Sequence, residues 1–330
     1  MAISADHQQT TGAGAGTRDA PAPSALSADT LSNGFWDYAL LLFLSAVLAM
    51  NFTMTKLSVA ELDPALVVAV RLAIAAAVLL VIMVISGHRF PPWGPIWWAL
   101  AASAIFGHTL PFSLLAWAQQ SIDAGLAAIL MATMPLFTLL LAQLFVRDEK
   151  PTIYSIGGFT LALVGIILLF GVDKLASLAD QSLRQYAAVA AALCYGVNAI
   201  VTKWLTGLPW QSTAAGFMAL AFLFGLPNLL GLNWSAVSTS PAAWLPVLYS
   251  GFMATALAAV MIVVIVRRSG ASFLSQINFI IPVMGVAFSI LLVNESLPAN
   301  GALALIIILT GVALARPRPN RTVRSVNKGT

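Results

Sequence analysis

Ten separate runs of about 20 mainly apolar residues constrain this chain more than any other feature. They fall at 36–57, 65–86, 93–118, 124–146, 152–171, 184–206, 212–232, 242–266, 271–293 and 299–315. Twenty such residues, at 1.5 Å rise each, cross the hydrocarbon core of a bilayer as one helix. A lipid-facing barrel would alternate apolar and polar side chains, and stretches such as Ala73-Ile74-Ala75-Ala76-Ala77-Val78 do not. Charged residues make up only 8% of the 330, against about 25% in a soluble domain. The expected fold is therefore an all-α integral membrane protein of ten transmembrane helices. Residues 1–34, rich in Ala, Gly, Ser, Thr, Asp and Pro, read as a disordered tail with no signal-peptide pattern. Residues 316–330 form a short basic tail.

Lys and Arg gather on the cytoplasmic side of membrane proteins. With the N-terminus inside, twelve of the sixteen fall in inner segments, Arg89, Lys203, Arg267 and Arg268 among them. Only Lys56, Lys174 and Arg184 fall outside, and Arg71 lies within a span. Both termini are thus expected in the cytoplasm, with the protein in the cell (inner) membrane.

A shift of 147 residues superimposes the two halves of the chain. Asn51, Thr55 and Lys56 meet Asn198, Thr202 and Lys203; Ala124 meets Ala271 and Pro135 meets Pro282. Leu144, Val146 and Pro151 meet Leu291, Val293 and Pro298, and Asp148 meets Glu295. Residues 35–171 and 184–315 are read as two five-helix repeats. Five is odd, so the second repeat enters the membrane upside down. Inverted repeats are a transporter architecture, with the site near the midplane where they meet.

On these residues, the chain resembles the EamA-type, ten-helix branch of the drug/metabolite transporter superfamily over roughly residues 36–315. The resemblance is carried by Asn51-Phe52 through Lys56, Pro64 with Arg71-Leu72, and Ala124-Gly125 through Pro135 to Leu144-Phe145-Val146. In the second half it is carried by Gly270-Ala271-Ser272, Pro282-Val283, Asn294-Glu295-Ser296-Leu297 and Gly311-Val312. Arg147-Asp148 and Asn294-Glu295 stand where that family often has Gly-Glu. The resemblance implies export or exchange of small metabolites, typically amino acids, with exporters of aromatic amino acids among the relatives.

Polar groups inside a bilayer generally face a cavity or a neighbouring helix. Asn51 and Thr55 share one face of the first helix, and Asn198 repeats the pattern on the sixth; they line a cavity or bond a neighbouring helix. Arg71, about 10 Å in from the outer boundary, is a counter-charge for a carboxylate or a side chain satisfied by carbonyls or snorkelling outward. His108 is a proton carrier or a hydrogen-bonded packing residue. Lys56 and Lys203 read as snorkelling anchors. Trp117, Tyr195, Tyr249, Phe252 and Phe279 are candidate walls for an apolar or aromatic solute. Gln276 and Asn278 are the most polar spot of the ninth helix, where Pro282, like Pro135 in the fourth, is expected to bend the helix and free a carbonyl.

Other features are negative. One cysteine, Cys194, rules out an internal disulfide, and no metal or nucleotide motif occurs, so no cofactor is expected. All twelve acids fall in tails, loops or helix ends, which leaves ion coupling without an obvious carboxylate. The leading reading is a carrier of small neutral or zwitterionic metabolites, with amino acids foremost. Its expected partners are that solute and the lipid bilayer, with no nucleic acid, and it is expected to act as a monomer. A proton-coupled exporter of drugs or organic cations, using His108 or Asp37, is the alternative. A channel or structural bundle is the alternative from another class.

Overall fold

The structure, a computed structural model, describes residues 34–145, 152–170, 180–297 and 299–315. The repeat matches at Val146, Asp148, Pro151 and Pro298 and the two tails lie outside these residues. The described residues form ten apolar helical segments and no strand. We number them α1 (Phe35–Glu61), α2 (Pro64–Ile85), α3 (Ile96–Ala118), α4 (Ala124–Phe145), α5 (Ile153–Leu169), α6 (Ser182–Leu205), α7 (Trp210–Leu229), α8 (Pro241–Ser269), α9 (Ala271–Val293) and α10 (Gly301–Ala315). The first eight by length, excluding α5 and α10, each reach or exceed 18 residues of membrane-crossing composition.

Local chemistry sets the segment ends. Asp63 caps α2, its Oδ1 accepting from Ala65 N–H at 2.8 Å with Pro64 at the first helical position, where a missing N–H costs nothing. Ser240 does the same for α8 with Pro241 behind it. Gly270, at φ 84°, separates α8 from α9 in a conformation that side chains disfavour. Asn294 ends α9 in the left-handed region, which asparagine tolerates. Pro95 delays the start of α3 to Ile96 rather than residue 93. Helix α7 starts earlier than expected, at Trp210, and ends at Leu229 in a 3-10 turn containing Pro227.

Helix packing follows the duplication. Helices α2 and α7, α4 and α9, and α5 and α10 pack against their own repeat mates. The crossed pairs also match, with α1 on α8 and α9 and α6 on α3 and α4. This is the pattern an in-plane two-fold produces, and the fold is two inverted five-helix repeats. Helix α5 meets α10 through backbone: a Cβ on Gly158 would lie 2.4 Å from the Gly311 carbonyl oxygen. In lipid, where apolar burial provides no drive between helices, such close approach supplies the dispersion contact that holds them.

Two distortions also obey the shift. Helix α3 carries a π-turn at Ile105–Thr109 and α8 one at Phe252–Leu257; residues 105 and 252 are 147 apart. A π-turn inserts one extra residue and leaves carbonyls for side chains to satisfy. The expected bends at Pro135 and Pro282 need correction. Helix α4 breaks at Ala132-Thr133, just ahead of Pro135, whereas α9 breaks at Ser275-Gln276 and runs through Pro282 without interruption. Proline's missing N–H is tolerated inside a transmembrane helix, so it does not dictate where the chain turns.

Candidate functional site

Eight of the ten segments, all but α5 and α10, wall a cavity of about 670 Å³. Its wall is two-fold in kind. Asn51 and Asn198, Pro135 and Pro282, His108 and Thr255, and Arg71 and Met218 are repeat mates, and both members of each pair line it. The cavity therefore lies on the pseudo-two-fold axis, as expected for a site at the repeat interface.

The depth of the cavity breaks that symmetry. Thr202, Leu205, Thr206, Leu208 and Trp210, running into the α6–α7 turn, belong to the wall. Their mates at the α1–α2 turn do not: Thr55 and Ser58 are buried in helix contacts instead. The cavity extends toward the α6–α7 turn and is shut toward the α1–α2 turn.

Polar ties hold the shut side. Lys56 Nζ donates to the carbonyls of Gln119 and Ile122, both at 2.9 Å, joining α1 to the α3–α4 turn. Gln119 Nε2 returns a bond to the Phe52 carbonyl at 2.8 Å. Glu295 accepts from Ala124 N–H (3.0 Å) and Gly125 N–H (3.2 Å), placing a carboxylate on the positive end of α4. Lys56 is therefore a cross-helix clamp and not a snorkelling anchor. Its mate Lys203 is exposed on the open side.

Arg71 reaches the cavity from α2 while only 7% exposed. Its Nε donates to Thr255 Oγ1 of α8 at 2.9 Å, and its guanidinium carbon sits 3.6 Å above the Phe112 ring. Thr255 in turn donates to the Ser250 carbonyl at 2.7 Å, a group left available by the π-turn. The face and one edge of the guanidinium are thus fixed. Of the two readings of Arg71, the counter-charge and the side chain satisfied by carbonyls or snorkelling, its contacts here are a hydroxyl and a ring rather than backbone carbonyls.

His108, the repeat mate of Thr255, stands in the π-turn of α3. Its Nδ1 lies 3.2 Å from the Ser103 carbonyl, and its ring stacks on Phe217 with centroids 4.6 Å apart. Ser103 Oγ donates to Asn198 Oδ1 at 2.8 Å. Asn198 packs so tightly on Gly107 that a Cβ there would lie 2.7 Å from its side chain. Across the axis, Asn51 Oδ1 is buried without a partner.

Of the residues singled out from sequence, Asn51, Arg71, His108, Tyr195, Asn198, Asn278, Pro135 and Pro282 meet at the cavity. Thr55, Trp117, Tyr249, Gln276, Phe252 and Phe279 stand outside its wall. Thr55 spends its hydroxyl on the Asn51 carbonyl at 2.8 Å. Trp117 lies under the Arg184 guanidinium, 3.9 Å from its ring centroid, and gives that side chain its carbonyl. Tyr249 donates to the Val47 carbonyl at 3.1 Å, tying α8 to α1. Phe252 is half exposed on the outer surface of the bundle. Sequence reasoning missed Thr255, Phe112 and Phe217. Thr255 was reachable, because it stands one repeat beyond His108; the two phenylalanines carried no signal that separated them from packing.

Comparison with known proteins places these features in a wider set. The chain matches the EamA-like transporter family over residues 36–171 and 185–316. It is similar to the uncharacterized transporter YoaV of Bacillus subtilis, at 24% identity over 60% of this chain and 68% of that protein. Protein PagO of Salmonella typhimurium is 24% identical over 82% of this chain and 89% of its own length. The uncharacterized inner membrane transporter YedA of Escherichia coli is 27% identical over 36% of this chain and 38% of its own. One solved crystal structure, 21% identical, shares the fold with a TM-score of 0.60, covering 84% of this chain and 98% of that one.

Proposed function

The chain belongs to the EamA-like transporter family, and from that premise we propose that it exports small neutral or zwitterionic metabolites, amino acids foremost, by alternating access. The observation that carries this reading is the central cavity, walled by mated residues of both repeats and extended toward one side only. Two near-equivalent halves can exchange conformations, so the side now shut by Lys56 would open as the α6–α7 side closes.

The open side carries Arg89, Lys203, Arg267 and Arg268, and the positive-inside rule supports an orientation with that side and both termini in the cytoplasm. A cavity open to the cytoplasm is the conformation in which an exporter loads its solute, and export across the inner membrane is the direction proposed. The mostly apolar wall, the three amides of Asn51, Asn198 and Asn278, and the unpartnered Asn51 Oδ1 suit a solute with an apolar body and an ammonium group. Both repeats of a single chain build the site, so the proposed transporting unit is one chain in the bilayer.

The test is counterflow in proteoliposomes preloaded with unlabelled solute, at equal pH and without an ion gradient. Saturable, accelerated uptake of a labelled apolar amino acid is the expected result. Flux that neither saturates nor shows counterflow would mark a channel instead.

A further inference from the structure

We propose that Arg71 is the carboxylate-binding residue of the cavity and that the carried solute is an organic monocarboxylate with an apolar body, amino-acid zwitterions included. This rests on the transport reading above and narrows it to a chemical class.

A cation inside a bilayer is costly unless an anion or several acceptors face it. Arg71 has one acceptor, Thr255 Oγ1, on Nε. Among the described residues, nothing in the protein accepts from its two terminal nitrogens, and no Asp or Glu lines the cavity. Three acids at the helix ends are committed elsewhere. Asp37 pairs with Arg268 at 2.9 Å, Asp63 caps α2, and Glu295 caps α4. A solute carboxylate supplies what the protein does not.

The constraints on Arg71 also orient it for that task. Phe112 lies against one face and Thr255 holds the Nε edge. The fork of Nη1 and Nη2 is what remains, and it matches a carboxylate in a two-point contact. Thr255 acts through Arg71 and is a positioning residue.

The broken two-fold sets the number of anionic groups. The repeat mate of Arg71 is Met218, also in the wall. The cavity thus has a guanidinium from one repeat and a thioether at the mated position of the other, and this suits one carboxylate with an apolar tail. Dicarboxylates and phosphorylated solutes would need a second cation.

The experiment compares four matched competitors of labelled leucine counterflow: leucine, leucinamide, 3-methylbutylamine and 4-methylpentanoate. It uses the full-length wild-type protein alongside R71Q and R71K. The two carboxylates are expected to compete on wild type at least about tenfold better than the amide and amine, the loss of a charge-assisted bond pair being worth that much. In R71Q the advantage of the carboxylates disappears. R71K keeps the charge but not the fork and retains part of it. Equal competition by amide and acid on wild type overturns the assignment, and this arm requires no variant to fold. So does an R71Q protein, monodisperse after purification, whose half-saturation for leucine is unchanged. Counterflow of an organic cation such as tetraphenylphosphonium, with none for any carboxylate, overturns the Arg71 assignment and leaves transport standing. Absence of counterflow for every solute overturns both.

Discussion

His108 and Thr255 stand 147 residues apart and do the same job in the two repeats. Each sits in a π-turn of the third helix of its repeat, and each meets the carbonyl five residues back, Ser103 for His108 and Ser250 for Thr255. Each also faces the second helix of the opposite repeat, where His108 stacks on Phe217 and Thr255 accepts from Arg71. One architectural device thus carries two chemistries, an aromatic stack on one side and a bound cation on the other.

Thr255 tests the Arg71 pole without touching the charge. T255V removes the Nε acceptor and the bond to Ser250, together worth about 1–2 kcal/mol. The half-saturation for a carried carboxylate is expected to rise several-fold, up to about tenfold. T255S, which keeps the hydroxyl, should stay within about twofold of wild type, measured by counterflow at matched protein density.

Lys56 tests the shut side. K56M deletes two charge-assisted bonds to Gln119 and Ile122, each worth about 1.5–3 kcal/mol in a protein interior. The state open on the α1–α2 side should become at least about tenfold more populated. A cysteine at Ser58, which is fully buried, would report this in a C194A background through faster labelling by an impermeant thiol reagent from outside. Unchanged labelling would mean that the seal does not depend on Lys56.

The orientation and the open side are tested together by cysteines on opposite turns. T206C, in the cavity wall at the α6–α7 turn, should react with impermeant reagent in inverted vesicles and resist it in intact cells. D63C, at the α1–α2 turn, should do the reverse. A swapped pattern would place the termini outside.

Neighbouring glycines test the contact between α5 and α10. A Cβ on Gly157 would meet only Leu314 at 3.7 Å, whereas one on Gly158 would strike backbone of α10 at 2.4 Å. G158A is expected to cost about 1–3 kcal/mol by overpacking and to lower the melting temperature in detergent by several degrees. G157A should leave it unchanged.

The duplication was legible because a few polar and proline identities keep one register across 147 residues, and polar residues in lipid are scarce enough to count. Arg71 was legible for the same reason, since a charge at that depth needs an explanation. Its partners were not. Phe112 and Thr255 are ordinary residues for a membrane helix, and only the approach of α3 and α8 to α2 gives them a role. Trp117 misled, because an aromatic near a helix end serves an arginine clamp as readily as a solute pocket, and the sequence separation of Trp117 from Arg184 hides the pairing.

Thr55 and Thr202 show where the division lies. By sequence alone they are equivalents, one turn beyond Asn51 and Asn198, and sequence alone determined that much: which segments cross the bilayer, that they form two inverted sets, and which side bears the positive charge. Those properties follow from local transfer free energies and hydrogen-bond satisfaction, which each stretch of chain carries with it. Tertiary structure decided that Thr202 lines a cavity while Thr55 is buried and bonded to its own helix. The reason is physical: two inverted repeats cannot both be open at once around one site. Which of two like residues meets the solute is therefore set by how the halves pack, not by the residues themselves.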